Sequence, residues 1–220
     1  ADGVKAMVDV VDIPVTVKHR IGIDRIESYA FVRDFVGQVS EAGCRVFIVH
    51  ARKAWLKGRS PKENRDAPPL DYQVVRRLKA ERPGLSISIN GGIADLDQAE
   101  ALLAETDEGP ALDGVMLGRA AYHEPALLGQ ADRRIFGLAA DDVGPFAAIE
   151  AYRPYLASRR AAGVPLSSMT RHMLGVMHGR PGARAFRRIL PVEANHPGAG
   201  LEVLDRALDA VREAEARRQA

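Results

Sequence analysis

Residues 46–65 read VFIVHARKAWLKGRSPKENR. Val46 to Val49 form a short apolar run rich in β-branched side chains, the pattern of a buried strand. His50 and Arg52 stand where the run ends. A polar stretch without apolar period follows. It carries six basic residues, Arg52, Lys53, Lys57, Arg59, Lys62 and Arg65, against one acid, Glu63. A loop this long in a compact domain is usually functional or disordered. Its ionisable groups begin at a strand end, where α/β folds place their chemistry, so a binding role is expected ahead of a merely solvated surface.

On the N-terminal side, Val4, Met7, Val8 and Val11 have helical spacing, which Ile13-Pro14 breaks. Val15 to Val17 read as a strand with Lys18 at its tip, and Gly22 lies in the following turn. Asp24 with Glu27 makes a variant of the capping box. The helix it opens shows Phe31, Phe35, Val36 and Val39 on one face, and Gly43 stops it. On the C-terminal side, Pro68-Pro69 end the basic loop, and Asp71 can cap a helix bearing Val74, Val75 and Leu78, stopped by Pro83-Gly84. Leu85 to Ile89 read as a third strand, ending in Asn90-Gly91-Gly92. Asp95 can cap a helix with Leu96, Ala99, Leu102 and Leu103. Val115 to Leu117 read as a fourth strand, ending in Gly118-Arg119.

Strands alternating with helices imply parallel strands joined by right-handed crossovers. Lys18, His50 to Arg52, Asn90 to Gly92, and Gly118-Arg119 then gather on one rim, at the carboxyl ends of the strands. From about Asp142 no strand is convincing. Helical segments are expected at 147–162, 167–177, 183–189 and 201–218, separated by Pro165, by Gly179 to Gly182 and by Pro191 to Gly200. The expected division is an α/β domain over 1–141 and a small all-helical domain over 142–220.

The chain has 220 residues, 46% of them hydrophobic, enough to bury a core. A net charge of +2 excludes a polycation. The single cysteine, Cys44, excludes an internal disulfide and a cysteine-rich zinc site, and fits a reducing compartment. It precedes the 46–49 strand, at the rim away from the chemistry, and is expected to be structural. His19 and His50 have no metal-ligand spacing, so no metal is expected. No apolar run approaches the roughly 18 residues of a membrane span. Neither a nucleophile elbow nor a Walker motif is present.

Two constellations remain. Asn90-Gly91-Gly92 and Gly118-Arg119 close two successive strands. Glycine lets backbone N–H groups approach an anion, a helix N-terminus beyond adds positive potential, and Arg119 adds a fork for phosphate oxygens. A phosphate site is expected there, with tight strand-to-helix turns as the alternative. Lys18 and His50, ending adjacent strands below it, suggest a flat cofactor held across the mouth. The second constellation is in the tail. Between Glu150 and Glu193 there is no acid but eight arginines: Arg153, Arg159, Arg160, Arg171, Arg180, Arg184, Arg187 and Arg188. Arg184 and Arg187 share a helix face. A run of one sign suits a phosphate backbone, with a solvated face as the alternative.

These residues resemble a known family. VTVKHRIGID (15–24), FIVHARKAWLKGRSPKENR (47–65), PPLDY (68–72), SINGGI (88–93) and GVMLGRAAY (114–122) are similar to the tRNA-dihydrouridine synthases. HARKAWL, with TRHMLG (170–175) and PGARxFRR (181–188), resembles the A subgroup. The resemblance runs from about Val4 to Ala210. It implies a (β/α)8 TIM barrel binding FMN, followed by a helical tRNA-binding domain. It implies NADPH-dependent reduction of D-loop uridines (positions 20/20a) to 5,6-dihydrouridine, with hydride from the flavin to C6 and a proton from a cysteine to C5. Carried over by position, Lys18 and His50 contact the flavin, while Asn90, Gly91, Gly92, Gly118 and Arg119 hold its phosphate. Lys62, Arg65, Arg184 and Arg187 contact tRNA.

The four strands match the second half of such a barrel, and Cys44 does not match the proton donor. The expectation is therefore an N-terminally truncated piece of a cytoplasmic enzyme that is monomeric when whole. Its open strand edges favour self-association, and inner-face side chains among Val17, Ile48, Ile89 and Met116 meet water. Taken alone, such a piece is expected to be inactive. The competing expectations are a catalytically silent tRNA-binding fragment and a different phosphate-binding barrel enzyme.

Overall fold

The computed structural model describes residues 1–26, 28–58 and 60–220. Glu27 and Arg59, each named above, lie outside the described residues. The chain divides into two units, Ala1–Gly118 and Arg119–Ala220.

The first unit runs α1 (Asp2–Val8), β1 (Thr16–Arg20), α2 (Tyr29–Glu41), β2 (Val46–His50), α3 (Glu63–Asp66), α4 (Tyr72–Glu81), β3 (Ser86–Asn90), α5 (Leu96–Leu103) and β4 (Gly114–Met116). The strands form one parallel sheet in the order β1-β2-β3-β4, the α/β arrangement expected from the alternation. Each strand ladder is in simple register: Val17 pairs Phe47, and Phe47 pairs Ile87.

That register sorts the side chains. Phe47, Val49, Ile87 and Ile89 are fully buried, as are Val36, Val75, Leu78 and Ala99 of α2, α4 and α5. Val17 and Ile89 therefore belong to the helix-packed face. The opposite face carries Thr16, Lys18 and Arg20 on β1, Val46, Ile48 and His50 on β2, Ser86, Ser88 and Asn90 on β3, and Gly114 and Met116 on β4, because side chains alternate along a strand. Of the four strand residues named above, Ile48 and Met116 lie on this second face, whereas Ile89 is buried completely under the helices.

Capping departs from expectation in one place. The side chain at the start of α2 is Ser28, whose hydroxyl accepts from Phe31 N–H. Asp24 instead sits in a left-handed turn (φ 51°), and its carboxylate accepts from Leu56 N–H at 2.8 Å. An aspartate tolerates that conformation, and the turn takes it out of reach of the helix. Asp71 and Asp95 cap α4 and α5, accepting from Val74 N–H and Gln98 N–H. On α2 the buried stripe is Val32, Val36 and Val39, while Phe35 remains 37% exposed and meets the His19 ring at 5.0 Å.

The buried Arg76 (3% exposed) fastens the corner beyond α5. Its guanidinium donates to the carbonyls of Ala101 (3.0 Å), Ala104 (3.1 Å), Gly109 (3.2 Å) and Pro110 (2.7 Å).

His19 sits on edge strand β1 between Phe35 and Phe47. Its Nδ1 donates to the Arg20 carbonyl, which leaves a buried Nε2 with no partner among the described residues. Burial lowers its pKa below the usual histidine value, the Arg20 carbonyl partly offsets this, and Lys18 lowers it further. A base whose folded pKa is lowered contributes stability above the unfolded value and loses it as the pH falls. The melting temperature is therefore expected to drop as the pH goes from about 7 to about 5, and His19→Gln is expected to flatten that drop. An identical pH profile in the variant would contradict this.

The second unit contains α6 (Arg119–His123), a 3-10 helix (Pro125–Gln130), α7 (Ala131–Arg134), α8 (Pro145–Ala161), α9 (Leu166–Thr170), α10 (Ala183–Glu193) and α11 (Glu202–Gln219). It begins at Arg119, earlier than the expected boundary after residue 141. The intervening segment packs inside this unit: a Cβ at Gly175 would overlap the His123 carbonyl, and one at Gly129 would overlap the Val143 carbonyl. The core joins Ile149 and Leu156, Leu166 and Met169, Phe186 and Leu190, and Val203, Leu204, Leu208 and Val211.

Two helix ends differ from the expectation. The segment expected as helical over 167–177 is helical only to Thr170 and then turns through i to i+3 bonds from Met173 and Val176. The close backbone approach at Gly175 replaces a further helical turn. Pro191 lies inside α10 rather than after it, with its own carbonyl taken by the Asn195 amide. Among the described residues no helix is long and apolar enough to cross a membrane.

Candidate functional site

In the first unit the strand ends bring Lys18, His50, Asn90, Gly91 and Gly92 together. Arg20, His50, Asn90 and Met116 stand in one row across the sheet, because each is its neighbour's register partner. Lys18 lies one step inside that row. β1 continues through Arg20, so Lys18 is a mid-strand residue rather than a strand tip. Its ammonium still reaches across β2 and donates to Asn90 Oδ1 at 3.2 Å. The Asn90 amide nitrogen donates to the Met116 carbonyl at 2.7 Å, which fixes which end of the amide faces Lys18. Partial burial, and then the Arg20 charge, lower the Lys18 pKa.

Beyond Asn90 the backbone enters the left-handed region at Gly91 (φ 117°) and Gly92 (φ 73°). A Cβ on Gly91 would lie 3.0 Å from the His50 ring, and one on Gly92 would lie 2.5 Å from Leu70. The Tyr72 hydroxyl donates to the Gly91 carbonyl at 2.7 Å and holds the turn. Tyr72 and Leu70 come from the PPLDY stretch, whose site contribution sequence spacing did not reveal. The helix beyond this turn, α5, has its N-terminus occupied by the Asp95 carboxylate, so the positive potential expected there is largely satisfied internally.

Gly118 closes the first unit with open space around its Cβ position, and Arg119 begins α6 in the second unit. The Gly91-Gly92 pair thus has a conformational need for glycine, whereas Gly118 has none within the chain.

The donor set suits a flat, polar-edged ligand that carries an anionic group. Lys18 and the His50 ring are cation and imidazole beside an amide. Ser88, one step inside Asn90 on the same face, is small, and the glycine turn carries no side chain to keep backbone N–H groups from an anion. Among the described residues no group of three or more His, Cys, Asp or Glu side chains could hold a metal ion. Cys44 is fully buried ahead of β2, with its thiol donating to the Val46 carbonyl, far along the strand from His50.

The basic loop is ordered by its backbone. Arg20 donates to the carbonyls of Lys53 and Asn64, and Arg52 to those of Asp66 and Pro68. Lys62 and Arg65 flank and enter α3, and both are exposed. The Arg20 pKa is lowered by burial, then by Arg52 and Arg65, so these cations crowd one another. Arg20 was not singled out from the sequence; its place two residues beyond Lys18, on the same face, is the signal that could have found it.

In the second unit the arginine run divides. Arg153 pairs with Glu150 and Asp205, both at 2.8 Å, and Arg180 pairs with Glu215 at 2.6 Å. These acids come from α8 and α11, so a run without acids in sequence is partly neutralised in space. Arg184, Arg187 and Arg188 are exposed on α10, whose buried side chains are Ala183, Phe186 and Leu190. Arg184 and Arg187 line a shallow open depression with His178, Gly179, Arg180 and Gly182.

The dihydrouridine synthase family profile matches residues 1–213. The chain is 52% identical over 212 residues to the tRNA-dihydrouridine(20/20a) synthase of Escherichia coli K12, covering 96% of this chain and 60% of that protein. It is 53% identical over 207 residues to the protein of the same name from Pseudomonas syringae pv. tomato, covering 94% and 60%, and 51% identical over 209 residues to that of Yersinia pestis, covering 94% and 59%. The chain thus spans about 60% of the length of these relatives. With most of its own length matched by the family profile, the chain belongs to the dihydrouridine synthase family.

Proposed function

We propose that this chain forms the carboxyl-terminal part of a flavin-dependent enzyme that reduces D-loop uridines of tRNA; its relatives are named tRNA-dihydrouridine(20/20a) synthases. The observation that carries this reading is the Lys18–Asn90 contact beside His50 and the Gly91-Gly92 turn. In this reading the strands of the first unit supply the second half of a TIM barrel, and the second unit carries a helical tRNA-binding domain. Lys18 and His50 orient the FMN ring, and Asn90, Gly91, Gly92, Gly118 and Arg119 hold its phosphate. When bound, the flavin supplies hydride transfer, with NADPH as the ultimate reductant. Lys62, Arg65, Arg184 and Arg187 take tRNA phosphates, and the setting is the cytoplasm.

One observation favours a narrower role for these 220 residues alone. The only cysteine, Cys44, is fully buried at the amino end of β2 and cannot present a thiol to a uracil on the opposite rim. By itself the chain then binds flavin or tRNA without turning substrate over. The edges of β1 and β4 offer unpaired backbone, so self-association is part of the same proposal.

The test is to add FMN to the purified chain, remove the excess and record the visible spectrum. Retention by the parent chain and loss in Lys18→Ala support the flavin assignment. Loss of the band in neither, or retention in neither, overturns the roles given to these residues.

A further inference from the structure

We propose that Arg20 is a positioning residue. It fastens the basic loop to the sheet face that carries Lys18, His50 and Asn90, and so sets how well the loop's cations hold nucleic-acid phosphates. The second clause rests on the function proposed above; the first does not.

Arg20 is the β1 member of the row that continues through His50 and Asn90. One of its terminal nitrogens, Nη1, donates to the Lys53 carbonyl and to the Asn64 carbonyl, both at 2.8 Å. Those two carbonyls lie at opposite ends of the basic loop, so a single nitrogen closes it. Asn64 passes the constraint on. Its side-chain oxygen accepts from Trp55 N–H and its amide donates to the Trp55 carbonyl, both at 2.7 Å. Trp55 is therefore clasped by the residue whose own carbonyl Arg20 holds, and the Lys53 ammonium lies 4.9 Å from the Trp55 ring centre.

The chemistry explains why an arginine stands here. Two N–H bonds on one planar nitrogen aim at two carbonyls without rotamer freedom between them, which a lysine ammonium on its flexible stem does not reproduce. Tying loop ends together also gathers like charges, since Arg20, Arg52 and Arg65 lie near enough to depress the Arg20 pKa. A purely structural tie has no need of that repulsion. An anion bound over the cluster relieves it, so loop order and anion binding favour one another by the same factor.

Trp55 is the only tryptophan in the chain, so its emission reports on this loop alone. Acrylamide quenching of Trp55 and filter binding to tRNA are measured on the full chain and on Arg20→Lys, Arg20→Ala and Asn64→Ala. All three variants are expected to raise the quenching constant about twofold through local opening. Arg20→Lys is expected to weaken tRNA binding about tenfold, in the ordinary range of coupling effects, with the salt slope unchanged because the charge count is unchanged.

Parent-like quenching in Arg20→Lys would show that charge alone suffices, and would overturn the proposal. Increased quenching with unaltered tRNA affinity would overturn the positioning role and leave a structural tie. If circular dichroism shows the Arg20 variants unfolded, Asn64→Ala decides, and undisturbed Trp55 in that variant is fatal. A parent chain that binds neither FMN nor tRNA would defeat the function proposed above, yet the quenching contrast would still decide whether Arg20 holds the loop.

Discussion

Gly92→Val is expected to abolish flavin retention while leaving the second unit folded. Gly92 adopts φ 73°, and a Cβ there would stand 2.5 Å from Leu70 Cδ1 and 3.2 Å from the Tyr72 hydroxyl oxygen. A β-branched residue in the left-handed region costs on the order of 1–3 kcal/mol before any clash is counted. The chain can relieve it only by moving Leu70 or by opening the turn that Tyr72 pins through the Gly91 carbonyl. Either displaces backbone N–H groups from a phosphate. Two to three kcal/mol corresponds to roughly 30- to 150-fold in affinity, enough to clear the flavin band after gel filtration. Gly84→Ala is the control, because nothing lies within 4 Å of its Cβ position and its backbone is ordinary. A retained band in Gly92→Val would mean that the turn does not hold the phosphate.

The second large effect is expected from charge reversal on α10. Arg184→Glu with Arg187→Glu should weaken tRNA binding by about two orders of magnitude near physiological salt and lower the salt slope by about two. Both side chains are exposed, whereas the core residues of α10, Phe186 and Leu190, are left unchanged. The neighbouring Arg180 is already committed to Glu215, and Arg153 to Glu150 and Asp205, so those two are poor replacements. The flavin band should persist in the double variant. An unchanged salt slope would place the phosphate contacts elsewhere, and loss of flavin would break the proposed separation of roles.

The sheet was legible because its strands are short apolar runs ended by glycine or charge. Three of the four strands were read to within one residue at each end. The error at β1 is informative: Lys18-His19-Arg20 is polar, so a hydrophobicity pattern ends the strand at Val17, yet edge pairing with β2 carries it to Arg20. That extension puts Arg20 beside His50 and makes it available to the loop. The asparagine-glycine turn was visible because glycine has few rivals at positive φ. Tyr72 and Asn64 were not, since an isolated tyrosine or asparagine carries no periodic signal and its partner is a backbone atom far along the chain. The arginine run illustrates the opposite limit. Counting charges along 150–193 overstates the basic surface, because the compensating acids Asp205 and Glu215 arrive from α11.

Arg76 has a consequence for what lengths of chain this fold accepts. Its guanidinium is held by carbonyls rather than by a carboxylate, and three of the four belong to the segment from Ala104 to Pro110 or its immediate approach. An inserted or deleted residue there would strand a buried cation, a loss of about 3–5 kcal/mol by analogy with a broken buried pair. Insertions should instead collect at exposed joints such as 138–142, where the side chains are exposed. The corner between α5 and β4 thus works as a fixed-length gauge, set by one arginine on the neighbouring helix.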